Sequence, residues 1–175
     1  MKKLLIVFSI LVIAACSELE MLLEDSETIS TVENEPTDLI EGLVTYVVDG
    51  DTFDVELDNG EIERVRPILV DAPEICHASS PSHCEPDPYG DEATEFTRDL
   101  LDGEVVYLEK DVSERDKYDR MLFYVYLEDG RMYQELILAE GLATLAIYEP
   151  DVKYKNELLL IEEKAKQESL NIWSN

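Results

Sequence analysis

The sequence Arg66-Pro67-Ile68-Leu69-Val70-Asp71-Ala72-Pro73-Glu74 decides the fold of this chain and concentrates its chemistry. An apolar run that ends in Asp, Pro and Glu predicts a buried strand that delivers two carboxylates at its mouth, with Arg66 farther back on the same strand. Asp49-Gly50-Asp51-Thr52, earlier in the chain, predicts a tight turn that carries further carboxylates. Carboxylates, a guanidinium and a tight turn in one place indicate a metal ion and a phosphate group.

The residue types assign separate tasks within this group. Asp51 and Asp71, with the carbonyl of Ala72 beside them, form a hard all-oxygen donor set of the kind that calcium accepts. Glu74 is then free to act on water rather than on the metal. Arg66 presents a planar fork of donors that matches a phosphodiester and keeps its charge. These are the parts needed for metal-assisted phosphodiester hydrolysis.

Four motifs, in this order, resemble the staphylococcal nuclease family, the thermonucleases. The resemblance runs from about Gly42 to Ser174. It implies an α+β fold, a five-stranded OB-type β-barrel with three flanking helices. It also implies an endonuclease that cleaves DNA and RNA, preferably single-stranded, and leaves 3′ phosphates. The motifs are Asp49 to Thr52, Arg66 to Glu74, Asp116 to Arg120 and Leu170 to Ser174.

The resemblance assigns roles to residues outside the first two motifs. Arg120 becomes a second phosphate-binding arginine that acts with Arg66, whereas on its own it would be read as a strand-end salt bridge. Lys117 and Tyr118 are expected to contact the substrate. Tyr148 is expected to line the nucleotide pocket, with a half-buried structural tyrosine as the open alternative.

Two positions depart from the family pattern and keep other functions open. Pro67 stands where an aliphatic residue is usual and removes a backbone donor from the strand, so we expect an edge or a bulge there. Asp119 stands where a glycine is common and is expected to strain the turn or to bring a negative charge near the phosphate. Both favour a binding module that keeps the barrel without cutting. A third hypothesis, an acidic calcium-binding surface lipoprotein, predicts several calcium sites.

The composition is strongly acidic for a protein that binds nucleic acid. The chain has 175 residues, enough for one domain, with 41 acidic and 14 basic residues and a net charge of -27. An average surface of this kind repels polyanions. A salty habitat, which shortens the Debye length, is one hypothesis for the acidity. Basic residues nevertheless cluster in or beside the motifs, at Arg64, Arg66, Lys110, Arg115, Lys117 and Arg120.

The first forty residues predict export. Residues 1–15 have a basic start and a short apolar run, the pattern of a signal peptide. Cys16 follows directly and resembles a bacterial lipoprotein cysteine that becomes lipidated; an ordinary signal peptide is the alternative. Residues 16–40 predict an acidic, disordered tether, and residues 41–175 the folded domain. We therefore expect an extracytoplasmic monomer anchored to the membrane by lipid.

The loop after Glu74 holds two cysteines and both histidines of the chain. In an exported protein we expect a disulfide between Cys76 and Cys84, and a zinc site with the histidines is the alternative. His77 and His83 are expected to be solvated loop residues.

Hydrophobic periodicity places the remaining elements. Strands are predicted at 43–48, 53–57, through Arg66, at 105–108 and at 121–127, and helices at 88–102, 133–140 and 152–168.

Overall fold

The structure is a computed structural model that describes residues 39–174. The predicted signal peptide, Cys16 and nearly all of the predicted tether lie outside the described residues. Within residues 39–174, no helix has the length and apolarity needed to cross a membrane. The elements are β1 Ile40–Asp49, β2 Thr52–Leu57, β3 Ile62–Pro67, β4 Val70–Asp71, α1 Gly90–Leu101, β5 Val105–Glu109, β6 Met121–Leu127, α2 Tyr133–Ala139, β7 Thr144–Leu145 and α3 Lys155–Gln167, followed by a 3₁₀ turn at Asn171–Trp173.

Five strands close into a barrel in the order β1-β2-β3-β6-β5. All neighbours are antiparallel except β3 and β6, which run parallel. β1 pairs with both β2 and β5, and its ladder with β2 shifts register between Val44 and Tyr46 and again between Val47 and Asp49. Such irregularities coil a strand, which lets one long strand join two sides of a small barrel. The predicted five-stranded α+β barrel with three helices is confirmed.

The strand predicted to run from Arg66 to Asp71 is interrupted, which corrects the sequence prediction. β3 ends at Pro67, opposite Phe123 of β6. Leu69 then has a left-handed backbone with φ 67°. β4 begins at Val70 and pairs with β7 instead of the barrel. Pro67 therefore costs the sheet little, because it occupies the last position of its strand.

The helices lie close to their predicted ranges and pack on the barrel through small and aliphatic side chains. α1 buries Ala93 and Leu101, and α3 buries Leu158 and Ala165. α3 begins at Lys155 rather than Val152. Glu162 on α3 is also buried. Its carboxylate accepts a hydrogen bond from the Leu145 backbone N–H at 2.9 Å, which offsets part of the cost of burying it. The largest fully buried aromatic and aliphatic side chains at the centre are Phe53, Leu101, Leu108, Phe123, Tyr124, Tyr133, Ile137, Leu138 and Leu158.

Asp119 provides a direct test of backbone strain at the position where the resemblance leads us to expect glycine. Its φ is 66°, and its side chain is 88% exposed, with only a 3.7 Å contact to Arg115. Left-handed geometry costs a residue with a Cβ about 1 kcal/mol or more. We expect Asp119→Gly to raise the melting temperature by about 2 °C, after subtraction of glycine's extra unfolded-state entropy.

The matched control is Asp58→Gly, in the exposed turn between β2 and β3, where φ is not positive. That variant removes the same charge without relieving strain and is expected to lower the melting temperature. Equal shifts in both variants, measured by differential scanning calorimetry, would contradict the strain assignment.

Candidate active site

The turn between β1 and β2 is buried under two helices. The carbonyl of Gly50 accepts hydrogen bonds from Thr97 Oγ1 of α1, at 3.0 Å, and from the hydroxyl of Tyr133 at the start of α2. A Cβ at Gly50 would lie 2.7 Å from the Cβ of Ala72, so no side chain fits there. This anchoring fixes the position of Asp51, which is 5% exposed.

The carboxylate of Asp51 ties this turn to the end of β4. Its Oδ2 accepts the backbone N–H of Ala72 at 2.7 Å and lies 3.2 Å from Arg66 Nη2. Its Oδ1 accepts the hydroxyl of Thr52 at 3.2 Å. Asp51 and Ala72, two of the predicted metal ligands, are therefore in direct contact.

Arg66 is held by the break between β3 and β4. Its Nη1 donates to the carbonyls of Pro67 at 3.0 Å and Val70 at 2.6 Å, and its Nη2 lies 2.8 Å from Asp71 Oδ1. The left-handed turn at Leu69 brings the Val70 carbonyl round to the guanidinium. Arg66 is thus a buried cation, 9% exposed, between two carboxylates.

The carboxylates of the site lie close enough to repel one another. Burial raises the pKa of Asp51 and of Asp71, although Arg66 opposes both effects. Burial also raises the pKa of Glu74, and repulsion from Asp49, Asp51 and Asp71 adds to it. Each raised pKa means that the ionised form of the carboxylate is less stable in the site than it would be in bulk water. A cation placed nearby would therefore stabilise the ionised form.

A folded-back loop orients Arg120. The Oδ1 of Asp116 accepts the backbone N–H of Tyr118 at 2.9 Å and of Arg120 at 3.0 Å, and its Oδ2 accepts Arg120 Nε at 2.7 Å. Arg120 Nη1 then reaches Thr52 Oγ1 at 3.2 Å. Both arginines therefore converge on the turn that carries Asp51. The aspartate at 116 forms this turn because its side chain mimics a backbone acceptor.

A groove with a volume of about 530 Å³ opens beside the two arginines. Tyr118 and Tyr148 line it and are 67% and 72% exposed, so Tyr148 is not a half-buried structural residue. The Tyr118 ring lies 4.8 Å from Lys117 Nζ and 5.4 Å from Arg120 Cζ, within the range of cation–π attraction. The groove collects six of the predicted site residues: Arg66, Asp71, Lys117, Tyr118, Arg120 and Tyr148.

Glu74 lies outside the lining of this groove, next to the buried carboxylates. Its backbone is fixed by Asp87, whose Oδ2 accepts the Glu74 N–H at 3.2 Å and whose N–H donates to the Glu74 carbonyl at 2.9 Å. A Cβ at Gly90 would lie 2.6 Å from that carbonyl, so the start of α1 can approach only as glycine. The Glu74 side chain itself is exposed to solvent.

The loop after Glu74 is closed by a disulfide between Cys76 and Cys84, whose Cα atoms are 6.0 Å apart. His83 is exposed, as expected of a solvated loop residue. His77 differs from that expectation because it is half-buried, with Nε2 3.6 Å from Asp49 Oδ2.

Sequence reasoning missed Asp151, a charged residue of the groove. Asp151 is buried, and its Oδ1 accepts the backbone N–H groups of Val112 at 3.0 Å and Ser113 at 2.7 Å. It thereby fixes the start of the loop that carries Lys117 and Arg120. The only sequence signal was an aspartate directly after proline, which is also the ordinary composition of a turn.

Most of this chain is similar to known proteins. Residues 64–175 match the family described as staphylococcal nuclease homologue. The SPbeta prophage-derived endonuclease YokF of Bacillus subtilis (strain 168) is 41% identical over 139 residues, which cover 78% of this chain and 45% of that protein. The endonuclease YncB of the same strain is 41% identical, over 78% of this chain and 63% of that protein. The thermonuclease of Staphylococcus hyicus is 39% identical over 75% of each chain.

The chain thus spans less than two thirds of the length of the two Bacillus subtilis relatives.

The hydrogen bonds that the Asp116 carboxylate accepts from Tyr118 and Arg120, here called the Asp116 clasp, should make a pH-dependent contribution to stability. Although burial tends to raise it, the hydrogen bonds from Arg120 and Tyr118 hold the pKa of Asp116 below its usual range. The stability from these bonds is therefore present above the unfolded pKa of about 3.9 and is lost as pH falls through the lower folded pKa. We expect Asp116→Asn to cost about 1.5 kcal/mol at neutral pH. The difference from wild type should shrink below about pH 4.

Thermal unfolding over a series of pH values measures the stability difference between Asp116→Asn and wild type. The exposed turn variant Asp58→Asn is the control for loss of one charge. A difference between Asp116→Asn and wild type that stays constant as the pH falls would show that the clasp does not depend on an ionised Asp116.

Proposed function

This chain belongs to the staphylococcal nuclease family, and from that premise we propose that it is a calcium-dependent endonuclease that hydrolyses phosphodiester bonds of DNA and RNA. One observation carries the proposal. Arg66 Nη2 lies 3.2 Å from Asp51, and Arg120 Nη1 lies 3.2 Å from Thr52. Two fixed guanidinium groups thus flank a carboxylate turn at the edge of an open groove.

The carboxylates fit calcium by their chemistry. Asp51 and Asp71 supply hard oxygen donors from two adjacent chain segments, and Arg66 contacts both of them. Their raised pKa values mean that the pair gains from further positive charge. We assign calcium to Asp51, Asp71 and the Ala72 carbonyl, where it would supply Lewis acidity and neutralise phosphate charge.

Arg66 and Arg120 are assigned to the phosphate itself. Each is oriented before substrate arrives, Arg66 by the Pro67 and Val70 carbonyls and Arg120 by Asp116. Donors that are already oriented lower the barrier because no reorganisation is needed as charge develops on the transferred phosphoryl group. In the structure both guanidinium groups pair with carboxylates, so substrate binding exchanges some of these contacts for phosphate oxygens.

Glu74 is assigned as the general base. Its carboxylate is exposed and lies near Asp51 and Asp71. Its raised pKa makes it a stronger base, which helps it to accept a proton from water. In the proposed step Glu74 accepts a proton from water, and the water oxygen bonds to phosphorus. The bond from phosphorus to the 5′ oxygen breaks, and the leaving oxygen takes a proton from solvent. The products are a 3′ phosphate and a 5′ hydroxyl.

The aromatic residues of the groove favour single strands as substrate. Tyr118 and Tyr148 expose their rings, and unpaired bases can stack on such rings in a sequence-tolerant way. Lys117 beside Tyr118 adds a positive charge for the backbone. This local positive charge acts against the net charge of -27, whose long-range repulsion is screened in salty surroundings.

We also propose that the protein is exported, lipid-anchored to the bacterial membrane through Cys16 and monomeric. The basic and apolar start of the chain and the position of Cys16 support the export and the anchor.

A non-cleaving binding module is the second candidate, and the two sequence departures that favoured it fit the enzyme. Pro67 ends a strand, and its carbonyl accepts a hydrogen bond from Arg66. Asp119 points an exposed side chain into solvent. Neither residue displaces Arg66 or Arg120 from the groove.

Glu74→Gln tests the proposal. General-base assistance is typically worth about 10²- to 10⁴-fold, so we expect a loss of cleavage of that order. Calcium affinity and melting temperature should stay near the wild-type values, because the Glu74 side chain is exposed and is not assigned to calcium. The measurement is the initial rate of single-stranded DNA cleavage, with calcium and with a calcium chelator.

Glu85→Gln is the matched control, an exposed glutamate that flanks the same disulfide-closed loop on its other side, and it should cleave like wild type. Full calcium-dependent cleavage by Glu74→Gln would remove the base assignment. A folded wild type that never cleaves would favour the binding module.

A further inference from the structure

Asp49, Glu74 and His77 form a group of possible ligands, and none of the three lines the groove. One ligand atom from each residue lies within 4.8 Å of the others. Asp49 Oδ2 and His77 Nε2 are 3.6 Å apart. His77 and Asp49 have no role in the proposed hydrolysis, so the function described above does not account for this group.

Asp49 is the buried member of the group. The residue is 8% exposed, and its Oδ1 accepts the backbone N–H of Asp51 at 3.1 Å. Among the described residues, its Oδ2 accepts no hydrogen bond, and His77 Nε2 lies 3.6 Å from it. Oδ2 therefore retains free lone pairs beside His77, which a metal ion can use.

His77 is held in place by its own loop. Its backbone N–H donates to Ser80 Oγ at 2.9 Å, and its carbonyl accepts the Ser80 N–H at 2.9 Å. The adjacent Cys76 is joined to Cys84. These bonds place the backbone of His77 without using its ring, which leaves both ring nitrogens available.

The donor set differs in kind from that of Asp51 and Asp71. It combines one imidazole nitrogen with two carboxylates, whereas calcium prefers oxygen alone. Imidazole selects ions such as zinc and its neighbours in the first transition series, and three protein ligands leave a position for water. We propose that Asp49, Glu74 and His77 form a second metal site, which binds a divalent transition-metal ion of the zinc type while calcium occupies its own site.

The site has a consequence that rests on the proposed function. A transition-metal ion held by Glu74 occupies the carboxylate that accepts the proton from water. Calcium-supported cleavage should therefore fall as this second site fills. Binding itself does not depend on that proposal and is tested separately.

Cobalt(II) is the probe, because its visible absorption reports coordination. The full chain, without a histidine tag and with Cys16 alkylated, is saturated with calcium and titrated with cobalt at about pH 7.5, since ligation needs a neutral imidazole. We expect one equivalent of cobalt to bind and to give a visible band. His77→Ala should weaken binding at least tenfold, and circular dichroism should show that it remains folded.

His83→Ala is the matched control, since the chain has only these two histidines and both lie in the same loop. It should bind cobalt like wild type. Cobalt binding that is unchanged in His77→Ala, that is lost in His83→Ala, or that calcium abolishes by competition would overturn the proposal.

The second arm measures zinc inhibition of calcium-supported cleavage. Wild type and His83→Ala should be inhibited at the same zinc concentration, and His77→Ala should need at least tenfold more. Equal inhibition of all three proteins would contradict the regulatory consequence. Absence of any cleavage with calcium alone would be a failure of the proposed function, and the cobalt titration would still decide the metal site.

Discussion

The hydrogen bond from the Ala72 backbone N–H to Asp51 is the contact on which the site depends. It is buried, 2.7 Å long, and joins the turn between β1 and β2 to the end of β4. Without it, Oδ2 of Asp51 would lose its backbone donor and keep only Arg66, and the hydrogen bond that links the two segments with the proposed calcium ligands would be lost. Gly50 allows this approach because any side chain there would collide with Ala72.

Positive and negative charge are balanced locally rather than over the whole chain. The body carries a net charge of -27, yet each arginine of the site is fixed by backbone carbonyls or by a single aspartate. These short contacts in a partly dehydrated cleft are screened far less than the long-range field of the surface. An acidic protein can therefore keep a small positive site for phosphate. The same crowding of carboxylates supports the proposed calcium site.

The sequence predicted the regular parts of the fold because their signals are local. β6 was predicted with the bounds that the structure has, because its unbroken apolar and aromatic run is typical of a central strand. Pro67 indicated an irregularity in the strand, but the left-handed backbone of Leu69 beyond it has no sequence signature, so the break itself was not predicted. Asp151 and His77 act through contacts with residues distant in the chain or across a loop, which periodicity cannot reveal. The segments before residue 39 stay predictions.

Calorimetric titration of the full chain with calcium tests the central claim most directly, that Asp51 and Asp71 form a specific metal site on an otherwise acidic surface. We expect one saturable equivalent that is lost in Asp71→Asn, a variant that should fold because the Asp71 side chain is 57% exposed. Several weak equivalents that persist unchanged in Asp71→Asn would contradict it, and would show an acidic surface that collects calcium without a catalytic site.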